Sequence, residues 1–171
     1  MKNIQILAWH IALDTIRQHD LIDLYRQSFN DSSDNNEGDM VAQLVSTILQ
    51  DNPEDWFGYV AIDKVTKRLL SATLWTRLFY DNLVNDATHK ADKKVTAFLL
   101  SPVATATDAQ NQGIAKALIE QGLNHLTQND VMLAFTYGDP NYYGKMGFLP
   151  IDVAKLPPPY PLSQPTGWIG Q

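Results

Sequence analysis

The segment at 110–115, Gln110-Asn111-Gln112-Gly113-Ile114-Ala115, opens a helix with no charged side chain and with Gly and Ala where capping groups usually stand. A helix N-terminus presents unpaired N–H groups and a partial positive charge of about half an elementary unit. Side chains that capped those groups would fill the space an anion needs. Small residues at Gly113 and Ala115 instead let phosphate oxygens reach the main chain. The segment therefore suits a pyrophosphate held by backbone amides, without Lys or Arg. The same spacing also fits a Gly113 that merely eases a tight strand-to-helix turn.

Other chemistries are narrowed by what the chain contains. It has no Cys, which excludes disulfides, thiolate nucleophiles and Cys-based metal sites. His10, His19, His89 and His125 are scattered and show no His-x-x-x-His spacing, so no metal is expected. A net charge of -6 and a pI near 5.0 argue against nucleic-acid binding, which needs a basic surface. They favour a cationic partner, such as an amine or a Lys-bearing peptide. The start, "MKNIQILAWHIALD", is too short and too mixed in polarity for a signal peptide or a membrane span. A cytoplasmic protein with no membrane partner is the expectation.

These groups must be carried by a fold. At 171 residues the chain suits one domain, 1–171, and its 44% hydrophobic and 19% charged residues are ordinary for a globular protein. "IQILAWHI" reads as a first strand, and a helix follows over 14–29 with Leu21, Leu24, Tyr25, Ser28 and Phe29 on one side. After a polar loop at 30–39, the residues Met40, Val41, Leu44, Val45, Ile48 and Leu49 mark an amphipathic helix ended by Asn52-Pro53. "WFGYVAID" and "RLLSATLWTRLFY" form a hairpin across "KVTK", and residues 81–94 read as a polar, irregular loop. "VTAFLLSPVAT" is a further strand. The helix from Gly113 buries Ile114, Leu118, Ile119, Gly122 and Leu126, and "VMLAFTYG" is a buried strand. Pro140 marks the start of a short helix. The order β-α-α-β-β-β-α-β-α-β predicts an α/β (α+β) fold, one mixed sheet flanked by helices. The Pro-rich arm at 156–171 carries Tyr160, Leu162, Trp168 and Ile169, too apolar for a free tail. It should dock, with Trp168 as anchor, on its own domain near the acceptor mouth or on a second subunit as a homodimer.

"QNQGIA" resembles the Q/R-x-x-G-x-G/A signature with which the GNAT acyltransferase superfamily cradles the pyrophosphate of coenzyme A. "LLSPVAT" upstream resembles that family's fourth strand, and "NYYGKMGFLP" downstream resembles its "FYxkxGF.p" segment, one helix and one strand away. The fuller "YGDPNYYGKMGF" looks like a bacterial branch with "GDPxYYxxxGF". The resemblance is specific over 95–150 and architectural before that.

It implies a mostly antiparallel central sheet whose fourth and fifth strands splay apart, and acetyl-CoA as cosubstrate. The pantetheine arm would pair with main-chain groups of Val103 and Thr105. Amides of Gln112, Gly113, Ile114 and Ala115 would face the pyrophosphate, with Gln110 and Asn111 closing the loop. The implied activity is acetyl-CoA-dependent transfer to an amine of a small molecule or peptide by direct attack, which needs a base for the ammonium proton and an acid for the leaving thiolate. The motif match places Tyr143 as that acid, since a phenol with reference pKa about 10 suits a thiolate of similar basicity. Tyr142 falls in the Phe slot and reads as packing.

The fourth strand, "VTAFLLSPVAT", has no carboxylate, although some relatives keep a Glu there. Asp139, beside the expected cleft, is either the base or a helix cap before Pro140. Glu37, at the start of the second helix, either borders the acceptor or is a solvated carboxylate. A water relay is the remaining route. The competing function is a catalytically idle GNAT fold that binds acyl-CoA as a sensor or interaction module.

Overall fold

A computed structural model describes residues 3–12, 16–31, 36–51, 53–80, 95–162 and 165–171. The expected 81–94 loop lies outside them.

Strand β1 (Ile4–Ala8) stops three residues before the end of the strand read from "IQILAWHI", and a short helix α1 (Trp9–Ala12) takes over. The cause is Trp9. Its side chain is buried between Tyr25 and Trp56, ring centroids 6.3 and 5.6 Å away, and its indole N–H donates to Tyr59 O at 3.2 Å. Turning the chain inward at Trp9 buries a large aromatic and satisfies its one donor.

Helices α2 (Gln18–Asn30) and α3 (Glu37–Ile48) follow. Leu21, Leu24 and Tyr25 of α2 are buried on the expected side. In α3 the expected Val41, Val45, Ile48 and Leu49 meet the core, but Met40 is 64% exposed and Leu44 48%, and Gly38 and Ala42 are buried instead. The reason is a close crossing at Gly38, where a Cβ would lie 2.2 Å from Arg26 O and where the N–H donates to Asn30 Oδ1 at 3.0 Å. The helix turns its smallest residue to its neighbour, and Met40 and Leu44 are carried outward.

Strands β2 (Trp56–Asp63) and β3 (Leu69–Tyr80) form the expected hairpin. Asp63 sets its turn by accepting from the N–H groups of Val65 and Thr66 at 2.8 and 2.7 Å. Then come β4 (Val95–Thr105), α4 (Ile114–Gln128), β5 (Leu133–Tyr137), the single-turn helix α5 (Pro140–Tyr143), β6 (Leu149–Pro150) and β7 (Trp168–Gly170). The sheet order is β1-β2-β3-β4-β5-β7-β6. The β4–β5 pair is parallel, in register from Ala97–Leu133 to Leu100–Thr136, and β4 runs on past that register to Thr105. The mixed sheet flanked by helices is the expected class, with a helix after β1 and a last strand added to the order.

The chain divides into two compact units, one from 1–75 with 101–123 and the other from 76–100 with 124–171. In the first, period-two alternation along β2 divides the side chains. Val60 and Ile62 join Leu21, Leu24, Tyr25 and Val45 in one core, whereas Ala61 joins Ile114 and Leu118 of α4 in another. The second unit is centred on Ala97, Phe135 and Trp168. Trp168 stacks on Phe135, centroids 5.1 Å apart at 10°, and donates its indole N–H to Leu156 O at 2.9 Å. The Pro-rich arm thus docks on its own chain with Trp168 as anchor, and its end enters the sheet. No helix among the described residues is long and apolar enough to cross a membrane.

Candidate active site

The loop between β4 and α4 is set from below. Ala106 N–H donates to Leu70 O at 2.8 Å as the chain leaves β4, and residues 107–109 make one tight turn with Ala109 buried beneath it. Asp108 lies against the Arg68 guanidinium through both carboxylate oxygens, at 2.7 and 2.8 Å, which holds its carboxyl below the usual carboxylate range. The Thr107 hydroxyl donates to the Asp31 carboxylate.

Above this base the loop is nearly all main chain. Gln110 Nε2 folds back to Thr105 O at 3.3 Å and Gln112 Nε2 to Asp108 O at 3.1 Å. Asn111 and Gly113 both take positive φ, 59° and 76°. A Cβ on Gly113 would meet nothing within 4 Å, so the glycine is required by its backbone and opens onto empty space. Ile114, by contrast, is buried and pins the first turn, which closes with Ala117 N–H on Gly113 O at 3.1 Å. The N–H groups before that bond lie outside the helical ladder. Residues 110–113 are exposed and Ala115 half-buried. Exposed main-chain N–H groups of this kind are what anions bind at helix starts.

Val103 and Thr105 are half-buried on β4. The Thr105 main chain is already engaged: its N–H donates to Ser28 Oγ and its carbonyl accepts from the same hydroxyl, each at 3.3 Å. A ligand pairing with Thr105 would replace Ser28 there. Ser28 was not among the expected site residues, and its signal was a lone hydroxyl on an otherwise apolar helix side.

Tyr143 and Asp139 lie in the other unit. The Tyr143 ring covers Gly138 so closely that a Cβ there would sit 2.4 Å from Tyr143 Cε2, and Phe148 meets it edge-on at 5.8 Å. Its hydroxyl shares a hydrogen bond with Thr136, whose own hydroxyl donates to Leu100 O at 2.9 Å. Burial raises the Tyr143 phenol above its ordinary pKa, and the Thr136 bond offsets this only in part. Tyr142 is 39% exposed and meets Tyr143 edge-on at 5.0 Å. It packs against its neighbour, in keeping with the packing role read for the Phe slot.

Asp139 caps α5. Its Oδ1 accepts from the Asn141 N–H at 2.8 Å and from Asn141 Nδ2 at 3.0 Å, and the residue is exposed. Of its two expected roles, the cap is the one in place. Glu37 is half-buried in the first turn of α3, where its charge complements the helix dipole. Thr136 and Gly138 went unread because nothing in "AFTYG" marks one as a partner and the other as a floor.

No family model matches this chain, and no curated protein does. Solved structures do. A GNAT family N-acetyltransferase (YhbS) from Escherichia coli in complex with CoA aligns at TM-score 0.71 and 21% identity, over 98% of this chain and 80% of that one. A GNAT family acetyltransferase from Brucella melitensis in complex with acetyl-CoA aligns at TM-score 0.56 and 22% identity, over 87% and 84%. An acetyltransferase of the GNAT family from Staphylococcus aureus aligns at TM-score 0.64 and 13% identity, over 98% of both chains. At these identities the likeness is one of architecture, carried through nearly the whole length. The chain has the fold of the GNAT family N-acetyltransferases.

Proposed function

We propose that this protein is an acetyl-CoA-dependent N-acetyltransferase that moves an acetyl group to an amine of a small molecule or peptide. The observation that carries the reading is the 110–115 loop, with Gly113 at positive φ, open space above it and exposed main chain at the start of α4. Such a loop fits a pyrophosphate, and two similar structures hold CoA or acetyl-CoA. Amides of Gln112, Gly113, Ile114 and Ala115 bind the phosphates, and Val103 and Thr105 offer β4 main chain to the pantetheine.

In the reaction the amine nitrogen attacks the thioester carbonyl carbon, a C–N bond forms and the C–S bond breaks. Tyr143 gives its hydroxyl proton to the departing sulfur, a role its raised pKa supports because the phenol stays protonated at neutral pH. Asp139 is committed to the cap, so water takes the ammonium proton. Glu37, half-buried at the head of α3, draws the cationic acceptor. The absence of any carboxylate on β4 favours one other reading, an idle acyl-CoA-binding module.

The test is CoA release from acetyl-CoA over a panel of amines and Lys-bearing peptides. Release that depends on an added amine is expected. Thermal stabilisation by CoA without release for any acceptor would leave the binding module as the function.

A further inference from the structure

Strands β5 and β6 are close in sequence, yet they are not neighbours in the sheet. The terminal strand β7 stands between them, antiparallel to both, with Gly170 opposite Phe135 on one side and Leu149 on the other. Two strand spacings separate β5 from β6, about 10 Å in all. Residues 138–147, which carry Tyr143, are the bridge across that span.

Both ends of the bridge are fastened to the β7 segment. At the near end, Gly138 N–H donates to Gly167 O at 3.0 Å, and Gly138 is the floor under the Tyr143 ring. At the far end, Gln171 Nε2 donates to Met146 O at 3.0 Å. Gln171 is itself fixed to β5, trading N–H and C=O bonds with Ala134 at 2.9 Å each. Buried Trp168, stacked on Phe135, holds the strand in place.

We propose that β7 is a positioning element for Tyr143, with Gln171 and Gly138 as the positioning residues. By standing between β5 and β6 it sets the span the bridge must cover, and its two hydrogen bonds fix where along that span the ring lies. This rests on the reading of Tyr143 as general acid.

Gln171→Met keeps side-chain length and removes the donor, whereas Gly138→Ala raises the floor beneath the ring. Each is made in the full chain and again with Tyr143→Phe, and assayed by CoA release with an amine from the panel. A misplaced acid should lower kcat about tenfold, with acetyl-CoA KM held within about twofold and no further loss when Tyr143 is already Phe. Equal losses in both backgrounds, or a rise in acetyl-CoA KM to match, would mean a general structural role and overturn the proposal. Because Gly138→Ala can also disturb folding, the milder Gln171→Met is decisive where they disagree.

A second readout needs no acceptor. The ¹³Cζ tyrosine resonance that disappears in Tyr143→Phe should move in Gln171→Met, and its titration should fall toward that of an ordinary phenol. An unmoved resonance also overturns the proposal. A moved resonance with kcat unaffected by Tyr143→Phe would instead remove the general acid and leave the positioning intact.

Discussion

The loop over 105–115 and the turn over 136–148 are built by opposite means. In the loop the side chains are mostly outside, and the geometry lies in the main chain: positive φ at Asn111 and Gly113, two Gln amides folded back on carbonyls, and a surface ion pair beneath. In the turn the geometry lies in packing. The Tyr143 ring is pressed between Gly138, Phe148 and Tyr142, and its hydroxyl is anchored on Thr136. A backbone site presents donors to a diffuse charge and tolerates exchange of its side chains. A packed site aims one proton, and it tolerates little change in shape.

The two halves should therefore fail differently, and the largest failure is expected at Tyr143. Tyr143→Phe keeps the ring and removes the proton. A fall in kcat of about 10²–10⁴-fold is expected, with CoA binding intact. The raised phenol also sets the pH response. The protonated acid persists through neutral pH, so the rate should fall only as pH climbs past the raised pKa, and Tyr143→Phe should lose that alkaline limb. A pH–rate profile without such a limb in the parent protein would break the assignment.

Next is Gly113→Glu, which sets a carboxylate and a strained φ where phosphate oxygens belong. Saturating CoA should stabilise the parent by about 2 to 4 kcal/mol, and the variant should lose most of that gain. Thermal shifts with and without CoA decide it, and a variant with the full gain would refute the backbone site.

A smaller effect is expected from Arg68→Ala. It frees Asp108 beneath the loop, so acetyl-CoA KM should rise about two- to threefold while kcat stays put, because exposed ion pairs contribute little. Steady-state kinetics in low and high salt would show that rise shrinking as screening grows. Smallest of all is Tyr142→Phe, whose half-exposed hydroxyl has no assigned role. A kcat change beyond about twofold would blur the distinction between the two tyrosines.

Sequence periodicity reached furthest where one face meets one core. Ile114, Leu118, Ile119, Gly122 and Leu126 of α4 are all buried as read, and "WFGYVAID" and "VTAFLLSPVAT" are strands from end to end. It failed where a distant contact overrode the pattern. Trp9 left its strand to meet Tyr25 and Trp56, and Met40 and Leu44 of α3 face outward because Gly38 approaches Arg26. In the candidate site, Gly113 was legible because it is small, polar-flanked and ahead of a periodic helix. The Arg68–Asp108 pair was not, since its members are 40 residues apart. The arm's docking could be read from its aromatic content, but its place between β5 and β6 depends on pairing that no local pattern encodes.

Gly122 carries a consequence for anyone engineering this chain. Within a helix, Gly→Ala usually stabilises by about 0.5–1 kcal/mol, and automated consensus schemes favour it. At this position an added methyl would lie 2.4 Å from Trp75 Nε1, inside a core where that indole, itself stacked on Phe57, cannot retreat. The substitution that thermostabilises most helices would here push α4 off its strand, so position 122 should be held fixed in any library built on this scaffold.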